Sequence, residues 1–67
     1  MKKKSVQING KTVLAEDVQE IRNNILISDE YFCEIRYRAH EPHYHEVCTL
    51  VSKEKGLEIE KEVNKQH

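Results

Sequence analysis

A chain of 67 residues with a formal net charge of -1, 37% hydrophobic and 34% charged, has room for one small domain with a thin core. The balanced charge lacks the strongly basic footprint of a nucleic-acid binder, and it also lacks the acidic excess of a nucleic-acid mimic. No run approaches the roughly 18 apolar residues of a membrane span.

Met1-Lys2-Lys3-Lys4 begins like a signal peptide, but Ser5-Val6-Gln7-Ile8 is mixed where an apolar stretch should follow. The expected compartment is therefore the cytoplasm, with both cysteines as free thiols. The wealth of Lys, Glu, Ile and Asn suggests a bacterial or phage gene. Residues 1–67 read as a single domain, with a flexible basic start at 1–4 and a flexible tail at 64–67.

In chain order, Val6-Gln7-Ile8 alternates and meets Asn9-Gly10. This predicts a short strand and a tight turn leading back toward a helix. Gly10-Lys11-Thr12 matches the tail of a phosphate-binding loop, but Ser5 stands where that loop needs its first glycine, so a hairpin turn is the simpler reading. Leu14, Val18, Ile21 and Ile25 are spaced four, three and four apart, which predicts one helix over about 14–26, capped by Thr12 and ended near Asn23-Asn24.

Tyr31 to Arg38 alternates with Cys33, Ile35 and Tyr37 on the apolar parity, which predicts a half-buried strand. Pro42 interrupts it. A third strand is expected over about 44–52, followed by a Lys53–Gly56 hairpin loop with Gly56 at positive φ, and a last strand over about 57–63. Pairing Ala39 with Tyr44 puts Cys33, Leu50 and Ile59 in one cross-strand core row. Ile21, Ile35 and Leu50 should then touch. Ser52 as the cap of a helix carrying Ile59 and Val63 is the alternative for the last segment. The expected fold is α+β in the order β-α-β-β-β: one helix packed on an antiparallel three-stranded meander, plus a short N-terminal strand.

That register leaves Phe32, Val47 and Val51 on the face away from the core, rimmed by Arg36, Arg38, Glu58 and Glu62. An uncovered apolar patch with a charged rim predicts a protein-interaction module. The expected function is non-enzymatic: a homodimer that regulates or inhibits a larger partner protein of unstated identity, with no cofactor.

Two alternatives come from other residues. His40, His43, His45 and Cys48 suit a metal chemically, which would make this a metal-stabilised or metal-sensing domain, but their spacing fits no standard zinc module. Lys2–Lys4, Lys11, Arg36 and Arg38 with Tyr31, Phe32, Tyr37 and Tyr44 outline a weak nucleic-acid-binding regulator; the neighbouring glutamates disfavour it. Cys48 beside His43 or His45 lacks the oxyanion pocket and orienting group that nucleophilic catalysis needs.

Overall fold

The Asn9-Gly10 pair turns the chain as its residue types predict. In the computed structural model, which describes residues 4–65, strands β1 (Ser5–Ile8) and β2 (Lys11–Leu14) pair antiparallel around it. Asn9 and Gly10 have φ of 50° and 82°, the left-handed geometry of a two-residue hairpin turn. Thr12 caps no helix: it lies within β2, and its Oγ1 accepts a 2.6 Å bond from Gln7 Nε2. A 3-10 turn, Ala15–Asp17, then leads into strand β3 (Val18–Ile27).

β3 replaces the expected helix, and its irregularities explain the misleading spacing. Val18 pairs with Tyr37 and Glu20 with Arg36, so Gln19 is an extra residue. Arg22 pairs with Glu34 and Ile25 with Phe32, so Asn23 and Asn24 together oppose Cys33. Each bulge shifts the strand's two-residue period by one. Val18 and Ile21, three apart, therefore both face inward, and Ile25 faces outward. Asn24 takes φ 64°, a left-handed conformation that asparagine tolerates better than most residues.

Ser28 and Asp29, with φ of 49° and 66°, turn the chain into strand β4 (Glu30–Ala39). Strand β5 (His45–Ser52) completes an antiparallel meander in the order β3-β4-β5. Helix α1 (Lys53–Asn64) ends the fold. The α+β class holds, with one helix packed on a three-stranded meander. The order of elements is corrected: the helix is last and the segment around 14–26 is extended.

The helix forms because Ser52 Oγ accepts from the Lys55 amide at 3.2 Å, satisfying one orphan donor of the first turn. Ile59 and Val63 then lie one turn apart on the face toward the sheet. Gly56 is helical, not a turn residue at positive φ. A Cβ there would stand 2.4 Å from Cys33 Cβ, so the missing side chain is what lets α1 approach β4.

The core lies between the sheet's inner face and a layer made by the hairpin and the helix. Val6, Ile8 and Val13 from the hairpin, Cys33, Ile35 and Tyr37 from β4, Val51 from β5 and Ile59 from α1 form one buried cluster. Ile21 packs against it. Leu50 does not belong to it: β5 sits one residue further along than expected, with Ala39 opposite His45 and Cys33 opposite Val51. A slip of one residue exchanges every side chain between faces. Val51 is accordingly 5% exposed and Leu50 41%.

The hairpin tip is tied to β5 of the meander, and the hairpin ladder runs on beyond Ser5 and Leu14. Asn9 Nδ2 donates to Thr49 Oγ1 at 2.7 Å and to the Leu50 carbonyl at 3.2 Å. The Ala15 amide donates to the Lys4 carbonyl at 2.9 Å. The remainder of the expected flexible ends, 1–3 and 66–67, lies outside the described residues.

Candidate interaction surface

The hairpin and helix both cover the inner face, so the outer face of the meander has no cover among the described elements. Register decides what it carries. Ile25 stands opposite Phe32, and Ile27 opposite Glu30, on β3 and β4. Leu50 stands opposite Glu34 on β5, which makes it the diagonal neighbour of Phe32 on the same face. Ile25, Phe32 and Leu50 thus form an oblique apolar row across all three strands. Ile27, 41% exposed, extends it toward the β3–β4 turn.

Charge occupies the rest of the face. Arg22 meets Glu34 at 3.5 Å and Arg36 meets Glu20 at 3.3 Å. These exposed cross-strand pairs contribute little to stability, but they set two arginines and two glutamates beside the apolar row. Cys48 lies among them, opposite Arg36. The neighbouring Glu34 carboxylate holds the thiol pKa above the ordinary value.

Of the residues expected at an interface, Phe32, Arg36 and Arg38 do lie on this outer parity of β4. Val47 and Val51 do not: Val51 is in the core and Val47 packs against it, because of the one-residue slip. Glu58 and Glu62 are also displaced. They belong to α1, on the other side of the sheet, where Glu58 meets Lys55 at 3.9 Å and Glu62 meets Lys4 at 3.0 Å and Lys65 at 3.3 Å. Hydrogen bonds from Lys4 and Lys65 hold the Glu62 carboxyl below its ordinary range. Ile25, Ile27 and Leu50 take the places of the displaced residues. The signal for the first two was present in Asn23-Asn24, a pair better suited to a bulge than to a helix end flanked by β-branched residues.

The histidines diverge. His40 Nε2 donates to Asp17 Oδ2 at 3.1 Å, at the junction of β4 with the 3-10 turn. His45 Nδ1 donates to the His43 carbonyl at 2.6 Å. Cys48 faces the opposite side of the sheet. Among the described residues no three His, Cys, Asp or Glu side chains converge as metal ligands would. Cys33 is buried inward and Cys48 exposed outward, so the two thiols lie on opposite faces of the sheet.

No described helix is long and apolar enough to cross a membrane. Compared with protein families, with curated proteins and with solved structures, the chain matches none.

Proposed function

We propose that this chain is a non-enzymatic protein-interaction module that pairs with a second copy of itself through the outer face of its sheet and regulates a larger partner protein in the cytoplasm. The observation that carries this reading is the oblique row Ile25–Phe32–Leu50, apolar and contiguous, with Leu50 exposed and Ile25 and Phe32 half-buried. Rows of this kind beside a charged rim are common at interaction sites. The flanking charges favour a self-complementary contact. Arg22 and Arg36 sit beside Glu20 and Glu34, so a two-fold axis brings each arginine of one copy toward a glutamate of the other.

A second copy also answers a need of the fold. A domain this small commonly relies on a disulfide, a metal or a partner subunit. Here the two thiols face opposite sides of the sheet and the histidines diverge. On the helix side, Leu26 and Tyr31 at the β3–β4 tip and Leu57 on α1 are exposed and stay exposed when the outer faces pair. They are the surface we assign to the larger partner.

Sedimentation equilibrium of wild type and Leu50→Asp is the test. The wild type is expected to be a reversible dimer. The variant is expected to be monomeric, with its unfolding free energy measured as a monomer in the range of about ±0.5 kcal/mol typical of surface changes. A wild type that stays monomeric at millimolar concentration, or a Leu50→Asp variant that still dimerises, overturns the proposal.

A further inference from the structure

The inner side of the sheet holds a feature unrelated to pairing. At the end away from the β3–β4 turn, β2 and the start of β5 stand apart around a cleft of about 450 Å³. This is within the range of small-molecule sites. Its apolar wall is Val13 and Val47, and Tyr37 and Ala39 also line it. Asp17 and His40, joined at 3.1 Å, line it as well.

Charged groups of both signs line the cleft, Lys11 and Arg38 against Asp17 and Glu41. Lys11 pairs with Ile8, so it projects on the hairpin's inner face, beside Val13 in parity, and lines the cleft. It has no ion-pair partner among the described residues. Tyr37 is 4% exposed, and its phenol has no hydrogen-bond partner among the described residues. The hydroxyl therefore opens onto the cleft and is available to a ligand. Asp17, the buried carboxylate, is engaged by His40, which lessens its repulsion of an incoming anion. An ammonium and a phenol both donate, and a carboxylate accepts from both.

We infer that this cleft binds a small organic carboxylate with an apolar body. The body rests between Val13 and Val47, and the carboxylate lies within reach of Lys11 and the Tyr37 hydroxyl. The inference goes beyond the pairing proposed above and does not depend on it.

The test is a titration of the wild-type protein, followed by amide ¹H–¹⁵N shifts, with sodium benzoate, benzamidine and inorganic phosphate in turn. Benzoate should give saturable shifts at Lys11, Val13, Tyr37, His45 and Val47. Lys11→Gln should weaken it about tenfold, the loss expected of one charge-assisted hydrogen bond. Tyr37→Phe should weaken it by a smaller factor with the fold intact. Benzamidine saturating the same amides with equal affinity would remove the charge argument. Phosphate binding as well as benzoate would remove the apolar body. No saturation with benzoate, or unchanged affinity in Lys11→Gln, would remove the site.

Discussion

Replacing Gly56 with alanine sets two opposed effects against each other. In a solvent-facing helix interior the change is favourable by about 0.8–1 kcal/mol, because glycine carries the larger conformational entropy. Here the new methyl would lie 2.4 Å from Cys33 Cβ and 2.6 Å from Cys33 Sγ. Ordinary carbon contacts are about 3.5–4.0 Å, so the helix must withdraw from β4 by roughly 1 Å. The sulfur can rotate away, but the Cβ is fixed to a central strand. Withdrawal also loosens Ile59, which is 2% exposed. Overpacking of this kind costs about 1–3 kcal/mol, and it should exceed the helical gain. We therefore expect Gly56→Ala to be net destabilising by up to about 2 kcal/mol. Urea unfolding followed by far-ultraviolet circular dichroism, at one protein concentration in the Leu50→Asp background, measures it free of any pairing. Exchanging the two residues, Gly56→Ala with Cys33→Gly, moves the bulk from strand to helix and should cost less than the sum of the single changes. A Gly56→Ala protein about 1 kcal/mol more stable than its parent would refute the close approach of helix and strand.

Other perturbations probe the register and the thiols. Val51→Asp should unfold the domain, because it buries a charge in the core cluster, while Leu50→Asp one residue earlier leaves it folded; equal tolerance of both would contradict the pairing of Cys33 with Val51. Ile35→Ala should cost about 2–5 kcal/mol by chemical denaturation, since Ile35 is fully buried at the centre of β4. In the Leu50→Asp monomer iodoacetamide should modify the exposed Cys48 alone and reach Cys33 only on unfolding; mass mapping of the alkylated peptides decides this. Burial, with the charge of Glu60 adding to it, raises the Cys33 thiol above its ordinary value of 9.0. The folded state thus favours the neutral thiol. Its contribution is complete below the unfolded thiol's pKa and is lost as pH rises from about 9 through the folded value. The stability difference between wild type and Cys33→Ala should shrink over that window, and a difference constant with pH would argue against a desolvated Cys33.

Local chemistry made part of this fold legible in the sequence. Asn9-Gly10 specified its turn because only residues that accept left-handed φ fit a two-residue hairpin. The parity of Tyr31–Arg38 marked Cys33, Ile35 and Tyr37 as inward because a strand's period is two. The single-helix α+β class followed from one helical and several extended segments in so short a chain. The tertiary structure alone decided which segment was the helix. Leu14, Val18, Ile21 and Ile25 mimic a helical face because two bulges break a strand's period, and a bulge forms only when a partner strand supplies the unequal pairing. Leu57, Ile59 and Val63 alternate like a strand, yet the Ser52 cap and the seat for Gly56 on Cys33 make the segment helical. The same division governs the candidate surface. The residue types on β5 are apolar on both parities, Val47 and Val51 on one and Leu50 on the other. Composition could not choose between them; the His40–Tyr44 loop, one residue longer than expected, set the register, and the register set which side chains the hairpin and helix would bury.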